Sequence, residues 1–459
     1  MVDAAGNSPR IAAPTPEAAM TFLFRCGQRR HVVSILIALA ATSVIAGCAT
    51  SASDDGGDAW VGTITTEGDV TTVVNESGSV WGGRATLVEE ASIGVDAGED
   101  PYMFGQVTSV WATGDEIYVV DEDVPAVRVY DRSGTWLRDI GGPGQGPGEY
   151  QRPYRVARRA DGTIFVSERG GVMRILVYDA SGEYLDTWTW TASVFLIRQQ
   201  MVVTHDGTPY LEAIELERGV PTEEESRYGM QAGGPEGKVG AFREFPRLDV
   251  PDPSLTYMDG RMVTLLPFAP VTRRTMLPSG ALVYGVGTEY RITIESIDGA
   301  KTIVERRYEP VAILPEERAA HEHFLTARIR SSDPGWTWSG RPIPEHKPAF
   351  EAIYPARDDR LLLSRKGTGL RIGDPDCAED PTPDDFLAAQ RENRTLSVCW
   401  RDPLIWDVFG PDGRYLGELE VPDVPVVADP FLDGDTLVLA VEDEAGIIRV
   451  KRYRVELPE

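Results

Sequence analysis

The sequence predicts an all-β fold in which six four-stranded antiparallel units are closed into a ring. The first observation behind this prediction is an internal repeat, since residues 116–138 read like residues 163–185, about 47 positions later. The second is a strand pattern near the amino end that matches the last strand of a unit. A repeat of this length indicates a unit that cannot bury its apolar face alone and must pack against its neighbours.

Each copy has the same internal order. An alternating apolar strand is followed by a turn, by a second strand ending in Tyr-Asp-x-x-Gly, and by a third strand after that glycine; Tyr130 and Tyr178 begin the two clearest such motifs. Alternation with a period of two indicates strands, and Asp-Gly or Ser-Gly pairs at this spacing are typical of hairpin turns. Weaker copies, which bring the count to six, begin near Asp206, Ser279, Arg360 and Asp435.

The two ends of the repeat region complement each other. Residues 85–94 resemble the final strand of a unit, and the last unit stops at Glu459 after its third strand. An amino-terminal strand that completes the last unit closes the ring and removes two open sheet edges. The alternative is a linear array with a capping unit at each end. We therefore predict a six-bladed β-propeller over residues 60–459, closed by an amino-terminal strand in the last blade.

A connector rich in glycine and proline lies between the two clearest copies. Residues 141–153 read Gly-Gly-Pro-Gly-Gln-Gly-Pro-Gly-Glu-Tyr-Gln-Arg-Pro, and a degenerate copy occupies residues 98–105. This run resembles the connector of bacterial six-bladed β-propeller lipoproteins related to NHL-repeat proteins, and the resemblance extends from about Ala85 to Glu459. It implies the fold without an activity, because propellers host unrelated functions. A phosphate-binding loop is not favoured, since no Gly-Lys-Ser/Thr follows and the next segment is a strand.

The amino terminus has the features of an export signal. Arginines precede an apolar run, residues 32–46, that is too short for a comfortable membrane span. Ile45 to Cys48 resembles the lipobox of bacterial lipoproteins, which implies that Cys48 carries lipid; the alternative is an ordinary cleaved signal. We expect residues 1–47 to be an extension and signal peptide, with Met1 or Met20 as the start, and residues 48–59 to be a flexible tether.

Charge and context predict the location. The formal net charge of −27 repels phosphate backbones, so we expect no nucleic-acid partner. If Cys48 is lipidated, Ala49 directly after it favours sorting to the outer membrane. We therefore expect the domain to lie in the cell envelope, facing the periplasm or the exterior. We expect a monomer.

Cysteine use agrees with export. Removal of the predicted signal takes Cys26, and if Cys48 carries lipid, Cys377 and Cys399 form an isolated pair. In an oxidising compartment such a pair predicts a disulfide; the alternative is two buried thiols. A metal site is disfavoured, because neither cysteine has a second Cys or a His at ligand spacing.

Two insertions interrupt the repeat, near residues 214–276 and 312–356, and insertions of this kind gather on a binding face. The second contains a predicted helix from Pro315 to Leu325. His321 and His323 on this helix point about 200° apart, which disfavours joint chelation of a metal and leaves surface histidines as the alternative. The candidate binding residues, with packing over the propeller face as the alternative for the tryptophans, are Trp336, Trp338, His321 and His323.

The function that these observations favour is a non-catalytic, lipid-anchored binding module for an envelope protein, peptide or glycan. No catalytic residue and no metal ligand can be assigned, because nucleophile and EF-hand patterns are missing from the sequence. Calcium is the one cofactor left open, through acidic strand ends such as residues 121–123. The alternative is a divalent-metal-dependent propeller enzyme, lactonase-like or lyase-like, with no motif here that matches its residues.

Overall fold

The structure is a computed structural model, and it describes residues 59–169, 174–189, 194–195, 200–216, 226–235, 240–250, 252–373, 377–392, 394–422, 424–426, 429–443 and 445–458. The predicted signal segment, Cys48 and the predicted tether up to residue 58 lie outside this part of the chain, so these inferences stay predictions. No helix in the described part is long and apolar enough to cross a membrane.

Three strands and two regular blades come first in the chain. The leading strands are β1 (Val61–Glu67), β2 (Val70–Ser77) and β3 (Arg84–Ile93). Blade one consists of β4 (Val107–Ala112), β5 (Glu116–Asp121), β6 (Val127–Asp131) and β7 (Trp136–Ile140). A short parallel pair, β8 (Gly142–Pro143) and β9 (Glu149–Tyr150), follows in the connector. Blade two consists of β10 (Pro153–Arg158), β11 (Ile164–Glu168), β12 (Arg174–Tyr178) and β13 (Tyr184–Thr189).

Blades three and four are separated by a hairpin. Blade three contains β14 (Val194–Phe195), β15 (Met201–Val203), β16 (Pro209–Leu216), β17 (Ser226–Ala232) and β18 (Phe242–Glu244). The hairpin is β19 (Ser254–Tyr257) and β20 (Met262–Leu265). Blade four contains β21 (Thr272–Met276), β22 (Leu282–Val286), β23 (Arg291–Glu295) and β24 (Lys301–Arg306).

Blade five is interrupted and blade six is completed from the amino end. Helix α1 (Pro315–Ser332) precedes β25 (Ala352–Pro355) and β26 (Leu361–Lys366). An insertion follows with β27 (Leu370–Arg371), β28 (Cys377–Ala378), α2 (Pro383–Arg391), β29 (Ser397–Val398) and β30 (Trp400–Arg401). The remaining strands are β31 (Leu404–Phe409), β32 (Tyr415–Glu420), β33 (Val424–Pro425), β34 (Phe431–Asp433), β35 (Thr436–Glu442) and β36 (Ile448–Glu456).

The predicted closure of the ring is confirmed. Strand β3 pairs antiparallel with β36, with Leu87 opposite Val455 and Ile93 opposite Val450. The last blade therefore has the order β34, β35, β36 and β3 from the innermost strand outwards. The predicted all-β, six-bladed propeller is the observed fold.

Alternating residues of one strand pack against two different blades. In β5, Ile117 and Val119 lie in an apolar cluster with blade six, whereas Tyr118 and Val120 lie in a cluster with blade two. Both faces of the strand are therefore buried, which explains why the four central positions of β5 are all apolar. This packing is the physical cause of the repeat, because each blade needs a neighbour on both sides.

The amino-terminal strands wrap around three blades in succession. Strand β2 pairs parallel with β24, which extends blade four to six strands, and Arg84 and Ala85 pair parallel with β32 of blade five. The side chain of Asn75 secures this path, since its amide donates to the carbonyls of Glu305 and Gly413 at 3.0 and 3.1 Å. The sequence did not predict the β1–β2 hairpin.

The boundaries of the predicted insertions change in the structure. Strands β17 and β18, which fall inside the segment 214–276, complete blade three, so the insertion shrinks to residues 245–271. Likewise β25 belongs to blade five, which leaves residues 307–351 as the second insertion. These strands could not be recognised from the sequence, because the apolar alternation of their residues is weaker than that of blades one and two. A third insertion, residues 367–403, separates β26 from β31.

Candidate functional site

All three insertions emerge at one end of the propeller. Residues 245–271 and 307–351 each join the fourth strand of one blade to the first strand of the next, and residues 367–403 join a second strand to a third. Because strands of an antiparallel blade alternate in direction, these two kinds of connection leave from the same end. We call the described residues of these three segments the cap.

The cap has its own apolar core, and Trp336 lies in it. The indole of Trp336 is 7% exposed, and its Nε1 donates to the carbonyl of Thr256 at 2.9 Å. Trp338 packs edge to face against it at 5.8 Å between ring centres and stays partly exposed. The other core residues are Leu255, Leu266, Phe268, Ile313, Leu325, Ile329 and Ile343. As a binding residue Trp336 is therefore a poor candidate, because the hairpin β19–β20 covers its ring.

Helix α1 connects this core to the third insertion. It extends from Pro315 to Ser332, seven residues beyond the end predicted at Leu325. Its Phe324 meets Phe386 of α2 edge to face, at 5.1 Å between ring centres. Contact between the two helices fixes the position of the second insertion relative to the third.

A groove lies between α1 and the third insertion, with a volume of about 440 Å³. The predicted disulfide between Cys377 and Cys399 is present, and Cys399 lines the groove. The volume falls in the range of ligand pockets, roughly 300–1,000 Å³. The groove is lined by Glu316, Ala319, Ala320, His323, Arg371, Ala378, Glu379, Asp380, Cys399 and Trp400.

The two candidate histidines face in different directions, as helical geometry requires. His321 packs edge to face on Phe268 at 4.7 Å, and burial lowers its pKa to about 4, so the imidazole is neutral at pH 7. His323 is exposed in the groove, where its Nε2 lies 2.8 Å from a carboxylate oxygen of Asp380. Of the four residues predicted for binding, His323 is the one that lines the groove.

A buried ionic cluster secures the base of α1. The ammonium of Lys347 lies 3.0 Å from Glu317, donates to the carbonyl of Gly367 at 2.8 Å, and contacts Asp402. Lys366 joins the cluster at 3.2 Å from Asp402. Lys347 and Glu317 are almost completely buried, so the charges gain their stability from one another.

Burial and neighbouring charges act differently on the two carboxyls of this cluster. Burial raises the pKa of Glu317, although Lys347 opposes the change. For Asp402 burial acts in the same direction, but the hydrogen bond from Lys347 and the charge of Lys366 lower its pKa below the usual value. Because the cluster joins α1, the loop after it and the end of the third insertion, it positions the groove walls relative to blade five.

Sequence reasoning missed the groove residues of the third insertion, Arg371 and Trp400. One signal was available, since the second and third strands of unit five are separated by about 40 residues that contain both cysteines. Among the described residues, no group of three or more His, Cys, Asp and Glu side chains is arranged to hold a metal ion.

Comparison with known proteins supports the fold. Residues 98–206 match the family DUF5128, described as a 6-bladed beta-propeller. That segment covers the connector before blade one, both regular blades and the start of blade three. No curated protein matches the sequence.

Three solved structures illustrate the wider likeness. A member of the DUF4221 family from Bacteroides vulgatus is 10% identical at a TM-score of 0.40, over 82% of this chain and 99% of that one. Virginiamycin B lyase from Staphylococcus aureus is 10% identical at 0.35, over 76% and 94%. The calcium-binding protein regucalcin from Agrobacterium tumefaciens is 10% identical at 0.35, over 82% and 97%. Similarity at this level assigns no activity.

Proposed function

We propose that this six-bladed β-propeller is a lipid-anchored, non-catalytic binding module of the bacterial cell envelope, and that it binds a basic peptide segment of a partner protein in the groove between α1 and the third insertion. The groove is the observation that supports this most, since insertions from two loops meet and leave about 440 Å³ between them. Blade packing does not require these insertions, whereas recognition sites are commonly built from such loops on a rigid scaffold.

The charge of the groove favours a basic ligand. Three carboxylates, Glu316, Glu379 and Asp380, line it together with Arg371 and His323. The whole chain carries a net charge of −27, which adds a long-range attraction for cations. A peptide with Lys or Arg side chains complements this surface, and complementary charge speeds encounter and sets the register of binding.

The ion pairs already present in the groove are weak enough to rearrange. Arg371 lies 2.8 Å from Glu379, and both side chains are more than 60% exposed. His323 and Asp380 are likewise exposed. Exposed pairs of this kind contribute about 0–1 kcal/mol, so a ligand can replace one partner at little cost. Trp400 supplies an aromatic anchor beside them.

A glycan is less well supported than a peptide. The predicted stacking platform was the pair Trp336 and Trp338, and the first of these is buried in the cap core. Charged groups and small side chains such as Ala319 and Ala320 dominate the groove. These groups suit the charges and backbone of a peptide better than a neutral sugar ring.

The test is a selection of random peptides, displayed on phage, against the full-length protein purified in detergent. We expect enriched sequences to contain Lys or Arg, and Trp400→Ala to weaken their binding by about tenfold or more, because aromatic and Arg residues dominate interface energetics. Trp338→Ala is the matched control, since it removes a partly exposed tryptophan elsewhere in the cap. Equal binding by wild type and Trp400→Ala would exclude the groove as the recognition site.

The same preparation distinguishes the binding module from the enzyme alternative. Calcium or zinc retained in a stoichiometric amount through dialysis would favour a metal-dependent enzyme instead. We expect the protein to bind peptide without a bound metal ion, because the groove residues act through charge and apolar contact alone.

The membrane anchor is tested separately at Cys48, which lies outside the described residues. We expect Cys48→Ser to abolish incorporation of radiolabelled palmitate in a bacterial host and to release the protein from the membrane fraction, since acyl chains supply the membrane affinity. Retention of label and membrane location by Cys48→Ser would contradict lipid anchoring without affecting the groove.

A further inference from the structure

A second cavity lies on the axis of the propeller. Its volume is about 70 Å³, and all six blades contribute to its wall. One residue from each blade illustrates this, in order Trp111, Arg155, Val202, Pro278, Arg357 and Leu432. Pro278 and Arg357 lie in turns between first and second strands, so the cavity is near the end opposite to the cap. It is therefore separate from the groove.

Arg155 is buried in this wall without full neutralisation. Its side chain is 10% exposed, and the guanidinium donates through Nη1 to the carbonyl of Thr108. Its buried Nε has no hydrogen-bond partner. The carboxylate of Asp429 lies 3.7 Å from Nη2, which is beyond hydrogen-bond distance.

Arg357 brings a second guanidinium to the cavity. Its Nη1 donates to the carbonyl of Val203 at 2.6 Å, and the group lies 4.9 Å from the ring centre of Trp111. Within the described residues no carboxylate pairs with it at ion-pair distance. Burial lowers the pKa of Arg357, although Asp433 and Asp359 oppose the change from farther away. The burial cost of its charge is thus only partly compensated.

We propose that this cavity binds the carboxylate of a small organic acid. Two guanidinium groups line the cavity, that of the buried Arg155 and that of the partly exposed Arg357, and its one carboxylate, Asp429, lies 3.7 Å from the first, so the charge of the cavity is opposite to that of a cation site. Guanidinium groups bind carboxylates through strong charge-assisted hydrogen bonds. A volume of about 70 Å³ has room for an acid of the size of acetate. The carboxylate of Asp429 would compete with the ligand for the guanidinium of Arg155.

The test is equilibrium dialysis of radiolabelled acetate against the full-length protein in detergent, at constant ionic strength. We expect saturable binding that unlabelled acetate displaces and acetamide does not, because acetamide has the shape without the charge. Arg357→Gln should weaken binding by about tenfold or more. Arg360→Gln, which changes an arginine of the same turn outside the cavity wall, should leave it unchanged.

A second variant keeps the test decisive if Arg357→Gln folds poorly. Asp429→Asn removes the competing charge, so we expect it to tighten acetate binding by about threefold or more. Absence of saturable acetate binding, displacement of the label by acetamide as well as by acetate, equal affinity in Arg357→Gln and Arg360→Gln, or unchanged affinity in Asp429→Asn would each overturn the proposal. None of these outcomes bears on peptide binding in the groove.

Discussion

Blades two and five carry opposite charges at the same position of the blade. The residues in question are Glu168 and Arg365, which lie seven residues after the turn aspartates Asp161 and Asp358, respectively. In blade two, the carboxylate accepts from the backbone N–H groups of the short connector before the blade, at 2.6 Å from Gln151. In blade five, the guanidinium donates to a buried carboxylate of its own blade at 2.9 Å.

The difference follows from what precedes each blade. Blades one and two follow short connectors whose backbone N–H groups need hydrogen-bond acceptors. In blade one the acceptor is Asp121, which accepts from Gly105 and Gln106 at 2.7 and 3.0 Å. In blade two the acceptor is Glu168. Blade five follows the insertion 307–351, so no short connector needs such a carboxylate. There, side-chain charges bind one another and fasten blade four, blade five and the cap together. Blades one and two are stabilised by local hydrogen bonds to their connectors. The side formed by blade four, blade five and the cap, which we call the decorated side, depends instead on buried ionic networks.

The largest effect is expected from Asp407, the centre of the network in blade five. It is fully buried and accepts from Tyr290, Arg306, Arg365 and Tyr415 at distances between 2.5 and 3.1 Å. Asp407→Ala leaves the guanidinium groups of Arg306 and Arg365, which are only about 15% exposed, without their shared counter-charge. We expect it to destabilise the fold by about 3–5 kcal/mol, measured by urea unfolding followed by circular dichroism.

The control for Asp407 is an exposed carboxylate of the same blade. Glu420 pairs with Arg84 at the surface, where both side chains are more than half exposed. Glu420→Ala should therefore change the free energy of unfolding by less than about 1 kcal/mol. Similar losses for the two variants would contradict the dependence of blade five on its buried network.

An intermediate effect is expected in the regular blades. Glu168 is 6% exposed, accepts from the N–H groups of Gln151 and Arg152 at 2.6 and 3.3 Å, and pairs with Arg174. Glu168→Gln keeps the shape but removes the charge from these bonds, and we expect a loss of about 1–3 kcal/mol. The exposed Glu183 of the same blade provides Glu183→Gln as the control. A loss from Glu168→Gln as large as that from Asp407→Ala would erase the contrast between the two regions.

The same contrast explains how much the sequence could predict. Blades one and two were predictable because residues such as Tyr118 and Val119 pack against opposite neighbours, so the packing imposes an apolar pattern on the chain itself. Strand β3 was recognised for the same reason. Strand β1 is exposed on most of its length and has no such pattern, and the contacts of Asn75 reach residues 230 and 338 positions away.

The candidate site was predictable only in part. The insertions and the disulfide pair could be recognised, because both interrupt the repeat. The local surroundings of Trp336 are polar, which predicts exposure, yet the distant hairpin β19–β20 buries it. Likewise Arg371 and Trp400 meet α1 only after the chain has folded, so no short-range pattern joins them to His323.

An effect of the same size as that of Glu168→Gln concerns pH and belongs to the decorated side. His321 has a folded pKa of about 4 because it is buried, against an unfolded value of about 6.5. Between these values the unfolded chain binds more protons, so stability falls as the pH falls from about 6.5 to about 4. Asp402, Lys366 and Lys347 face the imidazole and modify the shift. Nearby Glu317 has a raised pKa and therefore contributes with the opposite sign.

A difference measurement isolates the histidine from these neighbours. His321→Gln keeps a neutral polar side chain that cannot be protonated, so its stability should fall less on acidification. We expect wild type to lose about 1–3 kcal/mol relative to His321→Gln between pH 7 and pH 4, by urea unfolding at each pH. His346→Gln, at an exposed histidine of the same insertion, should follow wild type. If wild type and His321→Gln instead lose stability in parallel, the acid sensitivity of the cap arises from its ionic cluster and not from the buried imidazole.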